Sequence, residues 1–256
     1  MKFLTLLGVE LKKLKRSKIC LILLIPAVLL WIPSVMNADL NFGMQAEGIS
    51  PEHNFFIQGY LAMTWFMFPA SIVVCTVLLS QTEQNNRGIL KMLSLPVHTA
   101  WLCLAKFCVL LALAAVHILM MTAMYYAAAA IASRAQNYDF VLPPSFLMGR
   151  VGEICLSAVP MLAVFFMLSV CIQKPVFSIG TGLFSIVPSV LIINTKAWFA
   201  WPPAYPLFIV TSEYGRLAGN LTTRDIQWLP WIPTAILITL LSLAVSCIRF
   251  GADYKI

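Results

Sequence analysis

Residues 81–106, QTEQNNRGILKMLSLPVHTAWLCLAK, form a polar and proline-broken segment between two long apolar runs. A connection between two helices needs only about 2–8 residues, so this segment is longer than a simple turn requires. Its composition is not that of a disordered linker, because apolar residues recur along it. We therefore expect a structured segment between two membrane helices.

The composition of the whole chain indicates an integral membrane protein. Its 256 residues are 61% hydrophobic and 11% charged, and the mean hydropathy is +0.88. A soluble domain carries roughly 25% charged residues. The net charge of +7 could indicate nucleic-acid binding, but the charges cluster in short loops between apolar runs, which argues against that function.

The number of spans follows from the length of the apolar runs. A helix needs about 20 apolar residues to cross roughly 30 Å of hydrocarbon. We predict one all-α transmembrane domain over residues 1–256, with the first turn of the long third segment at the interface. Six segments meet the length test: about 19–36, 59–80, 105–131, 151–172, 176–195 and 229–248.

The distribution of positive charge predicts the orientation. Six spans place both termini on one side, and that side receives twelve of the 17 Lys and Arg residues. Cytoplasmic loops carry the excess of Lys and Arg, so we expect both termini in the cytoplasm. Residues 81–106 then form the main cytoplasmic loop. The five basic residues on the outer side are Arg134, Arg150, Lys196, Arg216 and Arg224.

Within this loop, residues 86–95, NRGILKMLSL, predict a short amphipathic helix that Pro96 ends. Two hypotheses stand for it: an interfacial helix that anchors the loop, or a docking element for a soluble partner. Its partial apolar face consists of Ile89, Leu90, Leu93 and Leu95, with Arg87, Lys91 and Ser94 on the other side.

The first eighteen residues, MKFLTLLGVELKKLKRSK, predict a basic amphipathic helix along the inner leaflet before the first span. Simple anchoring to anionic lipid is the favoured interpretation of this helix. Its apolar residues at helical spacing are Phe3, Leu4, Leu7, Leu11 and Leu14.

Several motifs are absent from the sequence. No G-x-x-x-x-G-K-[ST] phosphate loop occurs, so the chain is not expected to hydrolyse ATP by itself. No metal-ligand spacing or catalytic cluster is present, and the cysteines are interpreted as packing residues. His117 in the third span is interpreted as a hydrogen-bonded packing residue, and Gly180 and Gly182 as sites of close helix packing. The spans are nearly free of acids, which argues against an ion-coupled transporter.

The outer segment KAWFAWPPAYPLFIVTSEYGRL, residues 196–217, is rich in aromatic residues, and part of it could form a half-helix in the outer leaflet. One interpretation of its tryptophans and tyrosines is an aromatic belt at the interface. The other is a surface for a cationic and partly apolar ligand, recognised by charge and cation–π contacts. The candidate ligand surface comprises Glu47, Glu52, Glu213, Trp198, Trp201 and Tyr205.

The layout resembles the ABC-2 type permease subunits of ABC transporters. Residues 83–106 are similar to that family's E…G-x-L…L-P-V…K pattern, through Glu83, Arg87-Gly88, Leu93, Leu95-Pro96-Val97 and Lys106. Within the family, the chain length and the LKKLKRSK start resemble the permeases of lantibiotic-immunity and bacitracin-resistance exporters.

The resemblance implies a function and partners. The loop helix would be a coupling helix in a cleft of a separate ATP-binding subunit, which would hold ATP and Mg while this chain binds no cofactor. Two permeases, identical or homologous, would join two ATPases in a bacterial plasma membrane and expel a lantibiotic or other cationic antimicrobial peptide. The expected coupling residues are Glu83, Arg87, Ile89, Leu90, Lys91 and Leu93.

Other functions stay open at this point. The chain could belong to an ABC-2 exporter of lipid, polysaccharide or a drug. An ion-coupled secondary transporter, a membrane-embedded enzyme and a scaffold that only recruits a cytoplasmic partner are further alternatives.

Overall fold

The computed structural model describes residues 3–16, 19–84, 98–172, 174–218 and 228–252, without the side chains of residues 15–16, 46–47, 81–84 and 251–252. These residues form helices joined by short connections, and no strand occurs among them. The chain begins with an N-terminal helix, Phe3–Arg16.

Six helices of the described chain are long and apolar enough to cross a membrane, as predicted. By this measure of length and composition they are Ile19–Met36, Pro51–Ser80, Thr99–Gln136, Pro144–Cys171, Pro175–Ile192 and Trp228–Phe250. We number them as the first to the sixth span.

Several spans extend beyond the apolar runs that predicted them. The second span begins at Pro51 rather than near residue 59, and the fourth begins at Pro144 rather than near 151. Hydropathy misses such turns because it counts polar residues as exposed, whereas Asn54 is buried and donates to Asn41 at 3.0 Å. A proline in the first turn also suits a helix start, because proline has no N–H and an N–H at that position would have no acceptor within the helix.

Prolines interrupt two of the spans. A π-helical turn, Met63–Met67, lies just before Pro69 in the second span. Proline lacks the N–H that would bond Trp65 four residues earlier, and its ring displaces that carbonyl, so the preceding turn widens. Pro188 similarly separates the two helices of the fifth span, Pro175–Ile186 and Ser189–Ile192.

The third and fourth spans form the centre of the bundle. The first span packs mainly on the third, the sixth on the fourth and third, and the fifth on the second. The near end of the bundle is where the start of the third span meets the N-terminal helix and, separately, the end of the sixth span. The far end is where the second span begins and the third span ends.

The far end is capped by short helices. A 3-10 helix, Ala38–Glu47, follows the first span, and two 3-10 turns, Trp198–Ala200 and Pro202–Ala204, follow the fifth. The α-helix Tyr205–Leu217, which we call the far-end helix, then packs against the fourth span. It occupies the segment for which the sequence suggested a half-helix, and most of its residues are buried.

Two glycines allow helices to approach closely. A Cβ on Gly59 would lie 2.3 Å from the ring of Trp31, and one on Gly182 would lie 2.7 Å from Val73 Cγ1. The packing role predicted for Gly182 therefore agrees with the structure. The same prediction for Gly180 is wrong, because a Cβ there would meet nothing within 4 Å.

Candidate functional site

A buried ion pair joins the N-terminal helix to the third span at the near end. Lys106 Nζ lies 3.3 Å from Glu10 Oε2, and both side chains are buried. Lys13 Nζ, which is partly exposed, lies 2.5 Å from the other oxygen of Glu10. Glu10 thus accepts two ammonium groups, one from its own helix and one from the span that follows residues 85–97.

Apolar contacts reinforce this junction. Leu6 is buried, and Phe3 packs on Trp101 of the third span with ring centroids 5.5 Å apart. Leu4 and Leu11, which the sequence placed on the same apolar face as Phe3, remain exposed. The N-terminal helix therefore packs on the protein by one stripe and leaves a second apolar stripe uncovered.

The predicted coupling residues lie outside the described part of the chain. This applies to Arg87, Ile89, Leu90, Lys91 and Leu93, and to the side chain of Glu83 near the end of the second span. The described helices flank this segment at Gln84 and Thr99. The coupling helix stays a prediction. The described chain resumes at His98, and Lys106, the partner of Glu10, follows eight residues later.

At the far end, Glu52 accepts a hydrogen bond from Tyr138, which lies in the connection that follows the third span. Tyr138 Oη donates to Glu52 Oε2 at 2.5 Å. This hydrogen bond, with burial and the nearby negative charge, raises the pKa of the Tyr138 phenol to about 12. His53 Nδ1 lies 3.7 Å from the other oxygen of Glu52. The same nitrogen forms a 2.8 Å hydrogen bond with Ser50 Oγ, in which the tautomer of His53 determines the donor.

A second acidic residue, Glu213 of the far-end helix, belongs to a group of four charged residues that we call the far-end charge cluster: Arg150, Glu153, Glu213 and Arg216. Its carboxylate is buried and accepts from Arg216 Nη2 at 2.6 Å and Arg216 Nε at 3.0 Å. Arg150 Nη2 of the fourth span lies 3.5 Å from Glu213, and Arg150 Nη1 lies 2.6 Å from Glu153. The hydrogen bond to Glu213 raises the pKa of the Arg216 guanidinium. The two arginines and two glutamates balance in charge.

The predicted aromatic ligand residues lie inside the far end rather than on its surface. Trp198 stacks on Phe208 with ring centroids 3.6 Å apart, and both contact Trp231 of the sixth span. Tyr205 is fully buried and donates to the carbonyl of Phe199. Trp201 is half-buried and donates to the carbonyl of Ser185 at 3.0 Å.

The structure shows which residues of the predicted ligand surface are accessible and which are buried. Glu213, Trp198 and Tyr205 serve the packing of the far-end helix and are not accessible in this conformation. Glu52 and Trp201 keep partial exposure, and the side chain of Glu47 lies outside the described part of the chain. The ligand role of the set remains a prediction.

A cavity of about 600 Å³ opens between the second span, the fifth span and the far-end helix. Its wall on the second span includes Gln58 and Trp65, the latter in the π-helical turn. Hydroxyls from Thr211 and Ser212 line the opposite wall, and Asn194 lies at the end of the fifth span. π turns are frequent at functional sites because they redirect side chains from a helix. Nothing in the sequence pattern brought these residues together.

His117 lies in the middle of the third span and is fully buried. The sequence-based expectation of a hydrogen-bonded histidine is wrong, because neither ring nitrogen has a partner among the described residues. Its ring lies 5.8 Å from that of Phe68. All seven cysteines are free, but only Cys75 and Cys103 are buried as packing residues, whereas Cys20 and Cys171 are exposed.

The fold and these sites define a six-span, all-helical membrane protein with an N-terminal helix fixed to its third span. The model of a family described as "ABC-2 family transporter protein" matches residues 6–189. This match covers more than half of the chain, and the chain belongs to this family. It is a membrane permease of an ABC transporter, and the family implies an ABC ATPase as its partner. Neither the curated proteins nor the solved structures searched contain a match to the chain.

Proposed function

We propose that this chain is the permease of an ABC exporter that expels a lantibiotic or other cationic antimicrobial peptide from a bacterial plasma membrane. Both termini face the cytoplasm, and the near end is the cytoplasmic end. A pair of ATP-binding subunits, which hold ATP and Mg, would work with this permease and a second one, identical or homologous. The family match supports the transporter class, and the excess of Lys and Arg at the near end supports the orientation.

The near end supports coupling to an ATPase. Residues 86–95 would dock in a cleft of the ATPase, between the helix ending at Gln84 and the one beginning at Thr99. The third span is also attached to the N-terminal helix by the buried Glu10–Lys106 pair. Movement of the docked segment would therefore displace two elements together rather than a loop alone.

One observation is the main support for the proposed class of substrate. It is the 600 Å³ cavity at the far end, which is bounded by apolar and hydroxyl side chains. Ligand sites for small molecules have volumes of about 300–1,000 Å³, so the cavity suits part of an amphipathic peptide. Exposed carboxylates at Asp39 and Asp139 and half-buried Glu52 lie at the same end. They would attract a cation before it leaves the membrane surface.

A drug-sized molecule is the second candidate substrate, because the cavity volume lies within the range of about 300–1,000 Å³ that is typical of drug-sized ligand sites. The two candidates differ in their dependence on charge. A cationic peptide would need the far-end carboxylates, whereas a neutral drug would depend on the cavity walls alone.

The experiment measures the protection that the chain and its ATPase give to sensitive bacteria against a cationic lantibiotic and a neutral amphipathic drug. Replacing Glu47 and Glu52 with Gln should lower peptide protection about fourfold or more and drug protection less than about twofold. Arg134→Gln, which removes an exposed positive charge at the same end, is the control of opposite sign and should preserve peptide protection. Equal losses for both compounds would exclude charge-based recognition of the peptide.

A further inference from the structure

A second, almost wholly apolar recess lies on another side of the molecule. It has a volume of about 440 Å³ and runs between the fourth and sixth spans, with Tyr205 and Ile209 of the far-end helix at its base. We call it the lateral groove. Its walls include the large exposed side chains Leu156, Ile236 and Leu240. These residues face outward from the bundle, so the groove opens towards the surrounding lipid.

The length of the lateral groove matches one leaflet. Its lining on the sixth span extends from Trp228 to Leu240, which is about 18 Å at a helical rise of about 1.5 Å per residue. Half of the hydrocarbon core is about 15 Å thick. A single extended acyl chain entering from the far-end leaflet would therefore fill the groove from end to end.

The far-end rim of the groove carries charge. Glu153 is the charged residue of the lining, and its side chain is 43% exposed. Only Oε2 of Glu153 is bonded within the described residues, to Arg150 at 2.6 Å, so Oε1 is available to a further donor. Arg216 of the same charge cluster is 59% exposed.

The charges at the rim of the lateral groove favour a zwitterionic ligand over an anionic or a polycationic one. Two arginines and two glutamates give the far-end charge cluster no net charge, with both signs presented within one cluster. An anionic lipid would meet Glu153, and a polycationic peptide would meet Arg150 and Arg216. A zwitterion, which carries a phosphate and an ammonium group close together, complements both signs.

We propose that the lateral groove binds one phospholipid of the phosphatidylethanolamine type, with an acyl chain along the groove and its ammonium group at Glu153. The phosphate lies beside the arginines of the far-end charge cluster. The lipid seals the interface at which the sixth span and the far-end helix pack on the fourth span. This site is separate from the 600 Å³ cavity, so its existence does not depend on the identity of the exported substrate.

The test is lipid retention by the full chain. The protein is reconstituted in vesicles of equal phosphatidylethanolamine and phosphatidylglycerol, extracted in mild detergent and analysed by native mass spectrometry. We expect one retained phosphatidylethanolamine per chain. Ile236→Trp should lower this occupancy at least about fivefold, because the larger indole occupies the volume that the acyl chain would fill.

Matched variants separate the groove from general effects on the helix. Leu237→Trp adds the same ring at a neighbouring position of nearly equal exposure, 57% against 55%, outside the groove lining, and should retain the lipid. Leu240→Trp, which lines the groove, and Leu241→Trp, which does not, form a second pair if Ile236→Trp fails to fold. Equal retention within both pairs would overturn the proposal.

The headgroup is tested separately. Glu153→Gln should remove the preference for phosphatidylethanolamine over phosphatidylglycerol, whereas Asp139→Asn, the same change at an exposed acid off the groove, should preserve it. Retention of phosphatidylglycerol by the unchanged chain would overturn the assignment. So would displacement of the lipid by a stoichiometric cationic peptide, which would make the groove a peptide site.

Discussion

Glu10 and Lys106 are 96 positions apart, yet their side chains meet in a buried junction at 3.3 Å. Removing a charged group from water costs several kcal/mol, and the cost is offset only when a partner of opposite charge is well placed. Lys13 adds a second ammonium group to the same carboxylate. Glu10 consequently belongs to a charged network that includes Lys13 and Lys106.

This network predicts an asymmetric pattern of stability changes. Glu10→Met takes the carboxylate away from buried Lys106 and should lower stability by up to roughly 3–5 kcal/mol. Lys106→Met should cost less, because Glu10 keeps Lys13. The double variant should recover part of the loss, since it removes the buried ammonium group of Lys106 together with the carboxylate. Thermal unfolding in detergent measures each change.

Lys13→Met is the matched control for this cycle. Lys13 is 39% exposed, and loss of an exposed ion pair changes stability by about 1 kcal/mol or less. Additive effects of Glu10→Met and Lys106→Met would show that the two residues do not stabilise each other.

Tyr138 gives a residue-scale prediction for alkaline pH. Its hydrogen bond to Glu52 raises the phenol pKa to about 12, against about 10 in an unfolded chain. Because the folded state favours the neutral phenol, this contribution to stability is complete below about pH 10 and is lost between about pH 10 and 12. The difference in phenolate absorbance between the unchanged protein and Tyr138→Phe should therefore titrate near pH 12.

Glu52→Ala provides the comparison for Tyr138. It removes the acceptor that is the largest cause of the raised pKa, so the Tyr138 transition should move towards about pH 10. A transition near pH 10 in the unchanged protein would contradict the hydrogen bond.

At the scale of single elements, the second and fifth spans are in close contact at Gly182. A methyl group on Gly182 would lie 2.7 Å from Val73 Cγ1, and the β-branched valine has little rotamer freedom in a helix. Gly182→Ala should therefore separate the spans and lower the free energy of unfolding by roughly 1–3 kcal/mol.

Gly180→Ala is the control within the same helix, because its methyl group would meet nothing within 4 Å. We expect its melting temperature to stay close to that of the unchanged protein. A similar loss for both variants would mean that contact with Val73 does not determine the effect, because alanine has the higher helix propensity at both positions.

The sequence predicted the elements better than their contacts. Six apolar runs identified six spans, because the hydrocarbon thickness sets a length that composition alone can reveal. The far-end site was different: Glu213, Trp198 and Tyr205 looked like surface residues since they lie in a polar and aromatic segment. Their burial depends on Arg150 and Trp231 from distant positions, and no local pattern encodes such pairings.

At the scale of the whole molecule, the family implies an ABC ATPase as the partner, and residues 86–95 provide the test. Replacing Leu90 and Leu93 with Asp should release the ATPase during mild-detergent purification, because charge on the predicted apolar face opposes docking. Ser94→Asp places charge on the polar side of the same predicted helix and should preserve binding.

The same purification tests the composition of the assembly. A stoichiometric P-loop ATPase with the unchanged chain is expected, and a second six-span protein would identify a heteromeric permease. Full recovery of the ATPase with the Leu90 and Leu93 replacements would exclude the docking assignment, provided that the spans remain intact by thermal unfolding.

The third span differs from its neighbours in one respect that concerns the whole molecule. Each of the other five spans contains proline, whereas residues 99–136 contain neither proline nor glycine. At about 1.5 Å per residue this helix is about 57 Å long, nearly twice the roughly 30 Å of hydrocarbon. It extends from the Glu10 junction to the connection that bears Tyr138. Such an unbroken helix would act as a lever, so a tilt imposed at its near end would become a displacement of the far end.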